Sequence, residues 1–147
     1  MELTSREFIT NADPLAVSEG RGVRRLYTWE PKNRGELALV LNTASYLEDQ
    51  GWFVGIESPL PGIQRSLRIP IIAFKTGVAL LVKPVADSKK VNPSGLKLMD
   101  IHVGLKNALN QFEIRPVVYA YLDEFDSERK TSQSYEVWIK GRDGLSN

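Results

Sequence analysis

The sequence predicts an α/β (α+β) domain: a central mixed β-sheet flanked by helices, in the order α-β-β-β-α-β-β. Two stretches carry apolar residues at helical spacing, Leu37 to Leu47 and Leu98 to Phe112, with strand-like runs between and after them. Val78 to Val82 is continuously apolar, as a strand buried on both faces requires. The 147 residues are 42% hydrophobic and 25% charged, an ordinary globular composition with length for one core. Strands separated by helices then imply a mixed sheet with helices packed on it.

Residues 1–33 read as an irregular N-terminal arm, with a turn at Asn11-Ala12-Asp13-Pro14 and a basic stretch, Gly20 to Arg25, followed by Tyr27 and Trp29. The domain spans 34–141. Its first helix places Leu37, Val40, Leu41, Ala44 and Leu47 on one face, and Gly51 stops it. Trp52 to Glu57 alternates as a strand and ends at Pro59, Pro61 and Gly62. Leu67 to Phe74 is the second strand. Pro70 within it implies an edge or a bulge, because proline donates no ladder hydrogen bond. Lys75-Thr76-Gly77 is a tight turn, and Pro84 closes the third strand. Asn92-Pro93-Ser94-Gly95 leads into the second helix, whose stripe is Leu98, Ile101, Leu105, Leu109 and Phe112. Arg115 to Leu122 and Ser134 to Ile139 are the last strands, joined by a charged loop. Residues 142–147 are a frayed tail.

Composition excludes several chemistries. There is no cysteine, which removes disulfides, thiolate zinc sites and a cysteine nucleophile. The single histidine, His102, falls one residue after Ile101 and off the helix stripe, so multi-histidine metal sites are excluded within one chain. Nineteen basic residues against 18 acidic ones give a net charge of +1, so an anionic partner must meet a local patch. Met1 to Gly20 lacks the apolar core of a signal peptide. No apolar run approaches the roughly 20 residues of a membrane span. The expectation is a cytoplasmic protein with no membrane partner. Ser45 and Ser58 show no accompanying base, and Gly20-Arg21-Gly22 is too short for a nucleotide loop.

The order helix, three strands, helix, strand, together with the run Pro70 to Pro84, resembles the PD-(D/E)xK superfamily of restriction-endonuclease-like nucleases. The resemblance covers about residues 34–122 and implies a restriction-endonuclease-like core. In active members a helix glutamate, an aspartate after proline and an acid two residues before a lysine gather at one sheet edge. There they hold Mg²⁺ or Mn²⁺ through oxygen, and the metal and lysine prepare a water for attack on phosphate. By this resemblance Glu36 takes the helix glutamate's place and Lys83 the lysine's. Ile71 stands where the aspartate would be and Leu81 where the acid would be. Neither can ligate a metal. Glu57 and Asp87 are the acids available to replace them. The bland alternative sets Glu36 beside the helix N-terminus, where its charge suits the dipole, and Glu57 and Asp87 on the surface.

Lys83 either faces an anionic partner or snorkels from a strand end into water. Arg65, Arg68, Lys75, Lys89 and Lys90 are the candidate binding residues. The resemblance brings the groups around 65–68 and 83–97 near one sheet edge, where a local cationic cluster meets phosphate. Asp123, Glu124, Asp126 and Glu128 lack calcium-loop spacing and read as a solvated hairpin loop. Three functions follow. The first is a nuclease-like domain without metal-dependent cleavage, needing no cofactor, that binds DNA or RNA or serves a nucleic-acid-processing complex. The second is an active nuclease using Mg²⁺ or Mn²⁺ at Glu36, Glu57 and Asp87. The third is a homodimeric interaction module whose arm, with Phe8, Tyr27 and Trp29, wraps a protein partner.

Overall fold

A computed structural model describes residues 16–18, 23–25, 34–59, 68–107 and 109–141, with side chains over 38–56, 71–107 and 109–141. The elements are β1 (Ala16–Ser18), β2 (Val23–Arg25), α1 (Arg34–Asp49), β3 (Phe53–Pro59), β4 (Arg68–Lys75), β5 (Val78–Val85), α2 (Val91–Leu105), β6 (Glu113–Ala120) and β7 (Glu136–Ile139). Strands β3-β4-β5-β6-β7 form a five-stranded mixed sheet, lengthened at the β3 edge by β1 and then β2. Pairing is antiparallel from β3 to β5 and parallel from β5 to β7. The α-β-β-β-α-β-β order over 34–141 is as expected.

Tight signals set the meander. Gly51, at φ 93, ends α1. Its N–H donates to Glu48 O (2.9 Å) and the Trp52 N–H donates to Leu47 O (3.0 Å), the paired bonds of a left-handed helix stop. Between β4 and β5, the pair Lys75–Val78 closes a two-residue loop, and Gly77 takes φ 74 there. The antiparallel β4–β5 connection thus needs two residues, whereas the parallel β5–β6 connection needs a crossover, which α2 supplies.

Side-chain alternation divides the core in two. Ile72, Phe74, Ala79, Leu81, Val85, Val118 and Ala120 pack under Val91, Leu98, Ile101 and Leu105 of α2. Val54, Ile56, Ile71, Ala73, Leu80, Val82, Val117 and Tyr119 pack under Val40, Ala44 and Leu47 of α1. The helices therefore cover opposite faces. Ala79 through Val82 are fully buried between them, as the apolar run predicts.

Some expectations are corrected. The arm is not wholly irregular: β1 pairs with β3, and β2 with β1. These strands have only three residues each, too few for alternation to show. The rest of 1–33 and the tail 142–147 lie outside the described residues. Pro70 marks neither a bulge nor an outer edge strand. The β3–β4 register is unbroken around it, with Ile56 opposite Ile71 and Ser58 opposite Ile69. Pairing with β5 ends at Ile71–Val82, so proline sits one residue past the last ladder position on that side. The second helix starts at Val91, with Pro93 in its first turn, where no intrahelical N–H is missing. It stops at Leu105. Leu109 and Phe112 continue the apolar stripe from the following turns, tied by Leu109 N–H to Leu105 O (3.0 Å) and Phe112 N–H to Leu109 O (3.0 Å).

A close approach fixes how α2 meets the β6–β7 loop. A Cβ on Gly95 would lie 2.5 Å from Cδ2 of the fully buried Tyr135 ring. Gly95→Ala gains about 1 kcal/mol of helix propensity but overpacks at about 1–3 kcal/mol. Tyr135 is held at its hydroxyl and cannot retreat, so the overpacking wins. Thermal denaturation should show a lower midpoint for Gly95→Ala; an unchanged or raised midpoint contradicts this packing.

Candidate functional site

The parallel strands β5 and β6 both finish at one end of the sheet, and their loops face each other there. In open α/β sheets this is where ligand crevices form. After β5, the Asp87 carboxylate accepts from the Lys89 N–H (2.9 Å) and caps a 3₁₀ turn, Ser88–Lys90, which runs into α2. After β6, the Asp126 carboxylate accepts from the Glu128 N–H (2.9 Å) and caps a second turn, Ser127–Arg129. Both are Asp side chains satisfying turn N–H groups, the use such residues make of their short carboxylates.

Asn92 joins the two loops. Its Nδ2 donates to Arg129 O (2.9 Å), and its Oδ1 accepts from the Thr131 N–H (3.2 Å) and from the Tyr135 hydroxyl. The Thr131 N–H also reaches the Tyr135 hydroxyl (3.1 Å). A fifteen-residue connection without an α-helix is thereby held against the start of α2. Between the loops lies a cleft of about 720 Å³. Leu122 and the half-buried Phe125 form its apolar part, and Ser88, Asp123, Glu124, Asp126 and Arg129 its polar part. Lys89 and Lys90 are exposed on the same turn as Ser88.

The predicted site residues are distributed as follows. Lys83 is half-buried on β5, opposite Val118 of β6. By alternation it shares the α2 face with Leu81. Glu36 belongs to α1, the helix of the other face. Ile71 also belongs to that other face. Thus the helix that carries Glu36 and the strand position of Lys83 are on opposite sides of the sheet. Ile71 and Leu81 are each 0% exposed and each sits in a different half of the core. Glu57 lies on β3; its side chain, like those of Glu36 and Arg68, is outside the described residues, and so is Arg65 altogether. Asp87 is exposed and engaged as a turn cap.

The basic residues do not form one group. β4 runs antiparallel to β5, so Arg68 at its start lies at the sheet end where β5 finishes, together with Lys89 and Lys90. Lys75 is at the other end of β4, about 23 Å away at strand rise. It donates to Gln50 O (2.7 Å) and stands 5.5 Å from the Trp52 ring, bracing the stop of α1. The sequence sets Lys75 close to Arg68 in number, and the strand direction separates them.

His102 is half-buried in α2. Burial, and then the charge of Lys106, lower its pKa. The acidic loop residues Asp123, Glu124, Asp126 and Glu128 are exposed. Among the described residues no three or more His, Asp or Glu side chains are grouped to hold a metal ion, and no helix is long and apolar enough to cross a membrane.

A second polar constellation was not singled out in the sequence. On the α1 face beyond the helix, Arg115 of β6 donates to Glu136 of β7 through Nε (2.7 Å) and Nη2 (2.5 Å). The Trp138 indole N–H donates to the same carboxylate (3.3 Å). Hydrogen bonding to Arg115 is the chief cause that lowers the Glu136 pKa, and the same bond raises that of Arg115. Nearby, the buried Thr43 hydroxyl donates to Leu39 O (2.7 Å) and meets the Tyr121 hydroxyl (2.8 Å). The Tyr119 ring lies against Tyr46 and Tyr121, with centroids 5.8 Å and 5.3 Å away, and burial raises the Tyr119 pKa. Their shared face depends on the β6–β7 register, which the sequence does not display.

No family model matches the chain, and no curated protein is significantly similar to it.

Two outcomes follow. Asn92→Ala should speed amide exchange across 121–135 and leave β5 protected; uniform exchange in both proteins contradicts the Asn92 tie. Glu136 has a depressed folded pKa, so its contribution is complete above the unfolded value near 4.3 and is lost as pH falls through the folded value. The stability difference between wild type and Arg115→Gln should therefore be flat above pH about 5 and shrink below about 4. Urea denaturation across this range checks it, and a pH-independent difference contradicts it.

Proposed function

We propose that the chain is a restriction-endonuclease-like domain without metal-dependent cleavage that binds nucleic acid at the sheet end where β5 and β6 finish. The element order supports the fold: a helix, an antiparallel three-strand meander, a helix on the opposite face, and a parallel strand. The observation that carries the loss of cleavage is the full burial of Ile71 and Leu81 in two separate half-cores. Magnesium needs oxygen ligands converging on one point. These two positions offer hydrocarbon and diverge across the sheet. The residues at those positions do not fit a metal centre.

Recognition then rests on cations rather than on the degenerate motif. Lys89 and Lys90 are exposed on a capped turn leading into α2, and β4 starts, at Arg68, at the same end of the sheet. Ammonium groups on a short, backbone-fixed turn suit phosphate contacts that carry little sequence information.

Labelled single- and double-stranded DNA and RNA, titrated with and without Mn²⁺, test this reading. Binding should weaken steeply between about 50 and 200 mM salt, with no cleavage. Replacing Lys89 and Lys90 with alanine should reduce the slope of log affinity against log salt by about 1.8 on duplex DNA. Cleavage lost in Glu36→Ala, or an affinity indifferent to salt, overturns the proposal.

A further inference from the structure

Strand β7 is the last in the sheet order, and among the described residues its outer side has no strand partner. Its backbone polarity is fixed by one bond: the Lys140 N–H donates to Ala120 O (2.7 Å). Successive peptide groups alternate in direction along a strand. The N–H and C=O of Val137 and Ile139 therefore point away from β6. Edge strands are commonly guarded by proline, a bulge or a lysine within the strand. Glu136–Ile139 has no proline or lysine, its register with β6 is regular, and Ile139 is 44% exposed.

We propose that β7 pairs antiparallel with β7 of a second copy of this chain, in a two-fold register centred on Trp138. That register places Val137 opposite Ile139 of the other copy, twice, so that the outward backbone groups exchange hydrogen bonds. It places Trp138 opposite its own counterpart as a non-hydrogen-bonded pair. It also sets Glu136 opposite Lys140, twice, an opposite-charge pair on each side of the axis. The faces agree. Glu136, Trp138 and Lys140 alternate onto the α1 side, where Trp138 packs, and Val137 and Ile139 onto the α2 side, where Val137 packs.

Other registers are poorer. A centre between two residues would set the α1 side of one copy against the α2 side of the other. A centre on Val137 keeps the faces but puts Glu136 opposite Trp138 and Lys140 opposite Ser134, losing both charge pairs. Charge complementarity thus selects both the occupant and the register. The seven-stranded sheet continues across the axis into fourteen strands.

Sedimentation velocity of the full chain over roughly 1–100 μM tests the assembly, a range that brackets micromolar self-association. The wild type should dimerise. Ile139→Pro removes one outward N–H and leaves the β6 ladder intact, so it should be monomeric with an unchanged circular dichroism spectrum. The chain has no cysteine. Trp138→Cys should therefore form an intermolecular disulfide on mild oxidation, since opposed Cα atoms at about 4.5 Å lie within disulfide range. Ile139→Cys, facing Val137, should not. Lys140 is exposed, with its ammonium 4.3 Å from the Tyr46 ring centroid, and Lys140→Glu reads the register there: it opposes like charges and should weaken the dimer at least tenfold, whereas Lys140→Ala, which loses the same ring contact, should weaken it less. A wild type that is monomeric throughout overturns the proposal. So does a dimer that survives Ile139→Pro, an affinity unchanged in Lys140→Glu, or equal crosslinking through both cysteines.

Discussion

Along Ala79 to Val82, β5 has no solvent face. Even-numbered side chains enter the half-core under α1, and odd-numbered ones the half-core under α2. Fully burying each Leu or Val there contributes about 1.5–3 kcal/mol, available only when both helices are in place. The rest of the architecture answers to that requirement. The glycine stop at Gly51 turns the chain from α1 into β3, and the two-residue loop at Thr76-Gly77 delivers β5 to the middle of the sheet. The crossover through α2 covers the second face and returns the chain as a parallel β6.

The same constraint sets the end of the sheet where β5 and β6 finish. Because β5 and β6 are parallel, their following loops emerge side by side, and each contains an aspartate-capped 3₁₀ turn. Asn92 satisfies groups of the longer loop from the first turn of α2, and Tyr135 fills the space that Gly95 leaves. The cleft and the lysine turn are thus attached to the rigid layer rather than suspended from it. At the outer strand, the Arg115–Glu136 pair and the Trp138 indole hold the side chains of β6 and β7 in register on the α1 face.

The elements with a clear period were legible in the sequence. The stripe Val40, Ala44 and Leu47, the apolar run from Ala79 to Val82 and the stripe Leu98, Ile101 and Leu105 are all buried where their spacing puts them, and Val78 at the start of that run is half-buried. Short elements were not: β1 and β2 have three residues each, less than two periods of alternation. Long-range relations were hidden for another reason. Lys75 and Arg68 are seven positions apart in sequence, yet an extended strand sends them to opposite ends of the sheet. Arg115 and Glu136 meet only through the β6–β7 register, and Asn92 looked like a turn residue because its partners lie 37 to 43 positions away. The spacing of Pro70 and Lys83 was visible in the sequence. Spacing along the chain does not reveal that Ile71 and Leu81 point into different half-cores.

Equilibrium urea unfolding of Leu81→Asp, with and without Mg²⁺, tests most directly whether that position is core rather than site. A carboxylate buried there without a partner should remove more than about 4 kcal/mol of stability or leave no cooperative transition, and Mg²⁺ should restore nothing. A midpoint within about 1 kcal/mol of wild type, rising with Mg²⁺, would contradict the account, because it would mean that the position opens to water and can hold a metal.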